Sequence, residues 1–235
     1  MALLGVIGGL GPMATACFME LVTGMTDAAT DQEHLRMLVY SAPDIPDRTQ
    51  FILGQSDRSP LPGIVEVGRA LTAMGADVIA IPCMTAHYFH REIAGQVPAR
   101  ILNAIRDTAT LLADSGVKTA GLMATEGTVR TGLFQRVLED EGITLLRPDD
   151  AGQRAVTSLI YHDVKCGRKP DMEAFHSVRE GLLRSGAEVV LLGCTELSVI
   201  RRDYDTGAHV LDVMEVLAQS AVTACGKRVR QPVRF

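Results

Sequence analysis

The sequence predicts an α/β fold built on parallel sheets and arranged as two similar halves. Three observations carry that prediction. Apolar runs rich in β-branched residues alternate with helical patterns along the chain, which implies parallel strands joined by right-handed crossovers. Those runs are uninterrupted, as strands buried on both faces are. One stretch also occurs twice, as Gly75-Ala-Asp-Val-Ile-Ala-Ile-Pro-Cys-Met-Thr-Ala-His87 and as Gly186-Ala-Glu-Val-Val-Leu-Leu-Gly-Cys-Thr-Glu196. Each copy runs Gly-Ala-acid, then an apolar strand, then Cys and Thr at its end. Ligands of open parallel sheets bind beyond the carboxyl ends of the strands. Cys83 and Cys194 are therefore expected where chemistry is done.

Taken in order, residues 2–7 read as the first strand, followed by the turn Gly8-Gly-Leu-Gly-Pro-Met-Ala-Thr15. Helical spacing runs from Met13 to about Ala28, with Phe18, Leu21, Val22 and Met25 as its apolar stripe. Leu35 to Tyr40 is the second strand. Residues 41–62 hold five prolines and glycines, Pro43, Pro46, Gly54, Pro60 and Pro62, and predict a long loop of the kind used as a functional lid. A helix over about 63–74 leads to the strand Val78–Ile81. A helix after Cys83 ends near Gly95, Ile101-Leu102 is a short strand, and a further helix closes at Gly116. The pattern then restarts with the strand 118–123, the turn Ala124-Thr-Glu-Gly-Thr128 and a helix through Glu139. A strand at 143–146, helices at about 152–164 and 172–184, and the strand 189–192 lead to Cys194. His209-Val-Leu211 is a short strand, Asp212 caps a last helix ending near Gly226, and the basic tail 227–235 is expected to fray.

Composition excludes several functions. The 235 residues are 47% hydrophobic and 22% charged, enough for one large domain or two small ones. A net charge of -5 argues against nucleic acid or anionic membrane as partners. The longest apolar runs fall short of a membrane span. No charged n-region precedes the first apolar run, so no signal peptide is expected. Five cysteines, an odd number, suit free thiols in a reducing cytoplasm better than a disulfide framework. Absence of Trp and 4% aromatics argue against stacking platforms for bases or sugars.

Gly9-Leu-Gly-Pro-Met-Ala14 follows a strand and matches a dinucleotide fingerprint. Pro12 removes an amide from that loop, however, and the second strand ends in Ser41-Ala-Pro with no acidic residue for a ribose. The milder reading is a loop and helix N-terminus that bind a small carboxylate or phosphate. Cys17 and Cys225 sit in helical patterns and read as small buried hydrophobes. Cys166 lies in a polar loop. Cys83 and His87 are spaced to share a helix face, yet no other ligand pair has comparable spacing, so no metal site is predicted. The remaining histidines read as surface or packing residues.

Two thiols facing one small acid suggest stereochemical inversion beside a carboxylate. A proton must leave one face of the carbon and another must arrive on the opposite face. One thiolate and one thiol can exchange those roles, because a Cys pKa near 8.5 is readily lowered by helix N-termini and cations. The substrate carboxylate would be held by amides and hydroxyls that also stabilise the enediolate.

The motifs Gly5-Val-Ile-Gly-Gly-Leu-Gly-Pro-Met-Ala-Thr15, Pro46-Asp-Arg48, Ile81-Pro-Cys-Met-Thr-Ala-His87, Leu122-Met-Ala-Thr-Glu-Gly-Thr128, Val164-Lys-Cys-Gly167 and Gly193-Cys-Thr-Glu196 together resemble the aspartate/glutamate racemase family over nearly the whole chain. The resemblance implies two pseudo-symmetric α/β lobes, each a small parallel sheet flanked by helices, with the active site in the cleft between them. The repeat of strand, glycine turn and Cys-bearing strand predicts residues 1–104 plus 208–235 as the first lobe and 105–207 as the second, and the resemblance implies a homodimer. It also implies a racemase that needs no pyridoxal phosphate, nucleotide or metal.

By the same resemblance Cys83 and Cys194 are the acid/base pair, and Thr85 and Thr195 bind carboxylate beside them. Arg48 and Lys165 match the cations that the aspartate branch uses for the side-chain carboxylate. Leu10 stands where the glycine loop touches substrate, and Thr125 and Thr128 are similarly placed in the second lobe. Met84 replaces an Asn typical of the family, whose amide is expected to grip the substrate's α-carboxylate or α-amino group. The favoured function is racemisation of aspartate, glutamate or a relative. The alternative is an isomerase or decarboxylase of a small dicarboxylate in the same superfamily; decarboxylases there use only one of the two cysteines. Two intact cysteines count against a non-catalytic binding role.

Overall fold

The structure is a computed structural model and describes residues 2–235. In the first half the chain forms β1 (Leu4–Gly8), α1 (Pro12–Met25), β2 (Met37–Ser41), α2 (Arg48–Ile52), α3 (Leu61–Ala73), β3 (Val78–Ala80), α4 (His90–Ala94), β4 (Arg100–Ile101) and α5 (Ala104–Asp114). The second half follows with β5 (Thr119–Met123), α6 (Glu126–Arg130), α7 (Leu133–Asp140), β6 (Thr144–Leu146), α8 (Asp150–Ser158), α9 (Met172–Arg184), β7 (Val189–Leu192), α10 (Thr195–Asp203), β8 (Val210–Asp212) and α11 (Val213–Ala224).

Two four-stranded sheets result, ordered β2-β1-β3-β4 and β6-β5-β7-β8, and every pairing is parallel. The orders are equivalent, so the sequence repeat is a repeat of whole sheets. β3 and β7, the strands leading to the two cysteines, occupy the same interior place in each. Their residues are buried throughout because helices cover both faces.

The helix after each sheet's last strand crosses over. α5 packs against α7 and α11, while α11 packs against α1, α5 and β3. Strand β8 pairs with β7 in the second sheet, Val190 opposite Val210. Pairing with the second sheet thus continues as far as Asp212, beyond the boundary expected at 208. Asp212 caps α11 through a bond from the Met214 amide, 2.8 Å, as its position before the helix predicts.

Several local expectations need correction. The stretch 41–62 holds the helix α2, because Asp47 accepts a bond from the Gln50 amide and starts a helical turn directly after Pro46. The helix expected through Glu139 breaks at Gly132, whose φ is 61°. The helix expected to 164 passes from α8 into a π-helical turn, Leu159–Asp163, and a 3-10 turn, Val164–Cys166. The tail does not fray: Val229 bridges Thr26, the Arg230 amide donates to Met25 at 2.8 Å, and Val233 is buried.

Candidate active site

Each cysteine ends its strand in extended backbone and opens a helical turn. Cys83 (φ -157°, ψ 102°) precedes the 3-10 turn Met84–Phe89, and Cys194 (φ -141°, ψ 132°) precedes α10. Both cysteines are buried and line one cavity, together with Leu10, Arg48, Met84, Thr85, Thr125, Lys165 and Thr195. Thr128 lies one bond away, its hydroxyl 3.1 Å from that of Thr85. The fold thus gathers every residue singled out from the sequence, from both halves of the chain.

Arg48 enters on the first turn of α2 and is buried. Its terminal nitrogens donate to the carbonyls of Leu10 (2.8 Å), Pro46 (3.1 Å) and Ile45 (3.3 Å), and its Nε is buried with no partner. Three neutral carbonyls orient the guanidinium without cancelling its charge. Burial works against that charge, but Cys83 and Asp47 outweigh it and hold the pKa above its usual value. Lys165 comes from the second half, with its ammonium 4.4 Å from the centre of the Tyr161 ring, 3.7 Å from Asp47 and 3.8 Å from Glu196. Burial opposes its charge too, and Glu196, Tyr161, Cys194 and Asp47 together raise its pKa. Tyr161 itself is pushed up to about 12, mainly by burial.

Thr85 is 3.1 Å from Thr125, Thr125 is 3.0 Å from Thr128, and Thr49 is 3.4 Å from Thr125. Residues 49 and 85 belong to the first half, 125 and 128 to the second, so these hydroxyls join the two. The cavity beneath them measures about 10 Å³, which is room for one water at most. It adjoins a cavity of about 340 Å³, whose lining includes the glycine turn 9–11 and which shares Leu10, Arg48, Lys165 and Glu196 with it. Gly9 has φ 86°, and a Cβ there would stand 2.5 Å from the Ala42 amide. Only glycine lets the turn lie so close to β2 and open onto the cleft.

The two thiols have unlike surroundings. Cys83 faces Arg48, while the Cys194 thiol donates to Glu196 at 2.9 Å. Burial first, and the Glu196 carboxylate second, push the Cys194 pKa well above the usual thiol value. Glu196 had only a place in a motif, and Thr49, Asp47 and Tyr161 had no assigned role. An acid two residues after a Cys at a helix start was the available signal for Glu196. Nothing local marks Tyr161, which the π-helical turn delivers.

Cys17 and Cys225 are buried, and burial is the main cause that raises each thiol to about 11. His87 uses both ring nitrogens within the protein and is not placed as a metal ligand with Cys83. Among the described residues no group of three or more His, Cys, Asp or Glu could hold a metal ion, and no helix is long and apolar enough to cross a membrane.

Fold and site together define a two-lobed α/β protein in which both lobes contribute residues to one cavity. The model of the Asp/Glu/Hydantoin racemase family matches residues 7–221, and the chain belongs to that family. It is 25% identical over 227 residues to the broad specificity amino-acid racemase RacX of Bacillus subtilis, covering 94% of this chain and 97% of that one. Over 192 residues it is 27% identical to a glutamate racemase of Shewanella loihica, covering 75% and 68%. Among solved structures, Picrophilus torridus aspartate racemase superposes with a TM-score of 0.86 at 34% identity, covering 98% of this chain and 96% of that one. The chain is accordingly an isomerase, of the racemase class.

Proposed function

We propose that this racemase inverts the α-carbon of an amino acid of the aspartate and glutamate type, using Cys83 and Cys194 as a two-base pair. The observation that carries this reading is that both thiols, one from each half, line a single cavity with the buried, unpartnered Nε of Arg48. An unpaired donor on a fixed cation suits a carboxylate oxygen. In one direction the Cys83 thiolate takes the α-proton, and the Cys194 thiol delivers its proton to the opposite face. In the other direction the roles exchange. The negative charge of the enediolate falls among Thr85, Thr195 and the amides that follow each cysteine. Glu196 takes up the Cys194 proton when that thiol must serve as the base.

The lobes that open and close are residues 1–103 with 213–235, and 104–212. The cavity of about 10 Å³ between the thiols is smaller than an amino acid, so on this reading the lobes part before substrate enters. On this reading the reaction requires no cofactor, and the family resemblance supports a homodimer in the cytoplasm. A second reading, isomerisation or decarboxylation of a dicarboxylate without an amino group, is favoured by Met84, which lines the cavity and brings no strong donor. The test follows α-proton exchange in deuterated water for wild type, Cys83→Ser and Cys194→Ser across amino and dicarboxylic acids. Each variant should lose racemisation and keep exchange for one enantiomer only, opposite in the two. Full racemase activity in Cys194→Ser would refute the two-thiol mechanism.

A further inference from the structure

His87 was left without a role by the sequence and by the cavity lining. It is buried four residues after Cys83, on the same 3-10 turn. Its Nε2 accepts the Ala104 amide at 3.2 Å. An amide can only donate, so the ring proton sits on Nδ1, which donates to the Cys83 carbonyl at 3.1 Å. Ala104 is the first residue of α5, the helix that crosses to the second lobe. One imidazole therefore joins the backbone of a reactive thiol to the start of the crossing helix.

The second half repeats the arrangement with different chemistry. Ser198 lies four residues after Cys194, on α10. Its hydroxyl donates to Asp212 at 2.7 Å, and the same Asp212 oxygen accepts the Met214 amide at 2.8 Å, at the start of α11. α11 is the helix that crosses back to the first lobe. The residue four after each cysteine thus reaches the N-terminus of a crossing helix, directly in one half and through a carboxyl group in the other.

We propose that His87 and Ser198 are paired positioning residues, each tying one thiol-bearing turn to a crossing helix so that the thiols stay in register while the lobes move. Crossing helices follow the opposite lobe, and the ties transmit that lobe's position to each thiol. Burial, the main cause, pushes His87 down to about 4, so the imidazole stays neutral and its donor and acceptor keep their places at physiological pH. Neither side chain lines the cavity that holds the two thiols, so each acts through its cysteine. This inference rests on the two-thiol reading above.

The test compares variants that keep one half of the His87 link. An asparagine amide reaches where Nδ1 lies, and a glutamine amide reaches where Nε2 lies. His87→Gln loses the bond to Cys83, while His87→Asn loses the bond to Ala104; each breaks the tie. Exchange of the α-proton is read for each enantiomer separately, with thermal midpoints alongside. Each His87 variant should slow, about ten- to a hundredfold, the exchange of the enantiomer that Cys83→Ser abolishes, and spare the other. Ser198→Ala should do the same to the opposite enantiomer, and Ser198→Thr, which restores a hydroxyl, should recover it. Equal slowing of both enantiomers, or none in variants that fold, would overturn the proposal. If Cys83→Ser itself shows no enantiomer preference, the two-thiol reading fails first.

Discussion

The thiol of Cys194 donates to the carboxylate of Glu196 across 2.9 Å, inside a site where Cys83 instead faces a guanidinium. One thiol is held protonated beside an acceptor while its counterpart faces a cation. The pair is symmetric in the fold and asymmetric in its charges.

Glu196→Gln removes the second cause of the raised Cys194 pKa, burial being the first. It also frees Lys165 from an acid 3.8 Å away. Both changes favour the thiolate, so Cys194 should be alkylated by iodoacetamide at lower pH in the variant, read by mass spectrometry of the Cys194 peptide. If Glu196 takes up the Cys194 proton as proposed, kcat should also fall about a hundredfold in this variant. An unchanged alkylation profile would show that Glu196 does not govern this thiol.

Arg48→Leu should raise KM for an acidic substrate far more than for a neutral one. The loss of a charged hydrogen bond is worth ~1.5–3 kcal/mol, or about one to two powers of ten. The three carbonyls that Arg48 satisfies lose their donor in this variant as well, so its thermal midpoint should drop. Arg48→Lys keeps the charge and serves as the control. Equal KM effects on acidic and neutral substrates would remove Arg48 from carboxylate binding.

Met84 lines the cavity and is also part of the main hydrophobic core. Met84→Asn supplies the amide that the family resemblance implies there. It should raise kcat/KM for aspartate or glutamate relative to bulkier amino acids. It should also cost stability, ~1–3 kcal/mol, because a polar amide enters a packed apolar site. An unchanged ranking of substrates would mean that residue 84 does not select them.

Asp212 is pushed from 3.8 up to about 7, first by burial and then by Glu215. A folded-state pKa above the unfolded one gives stability that is fully present below 3.8 and is lost as pH rises through about 7. His87, pushed down from 6.5 to about 4, gives the opposite slope, present above 6.5 and lost as pH falls. The two oppose one another between those values, so the clean window lies above 6.5. Asp212→Asn keeps an oxygen for Ser198 and Met214 and cannot ionise. Its thermal midpoint relative to wild type should rise from pH about 6.5 to about 8.5. A constant difference would contradict a buried carboxyl that titrates there.

By itself the sequence determined the strands, the repeat and part of the cleft lining, but not Asp47, Thr49 or Tyr161. Strands buried on both faces must be apolar at every position, so 78–81 and 189–192 were legible without any tertiary information. Repeated Cys-x-Thr and Cys-Thr endings put both thiols at equivalent strand ends. Short helices were less legible: α2 was hidden by the prolines around it, though Asp47 supplied its cap. Tertiary structure alone decided what each group touches. Thr85 meets Thr125 only because two sheets face each other, and no periodicity relates residues 40 positions apart. Val229 folds back on Thr26 because the end of α1 and the start of the tail meet in space, against the fraying that a basic terminus suggests. Cys83 faces Arg48 for the same reason, since the arginine comes from a separate helix, whereas Glu196 stands two residues after Cys194 and was legible as a neighbour in the sequence. Local pattern specifies which residues are buried, whereas the partner of most buried polar groups depends on how separate elements pack.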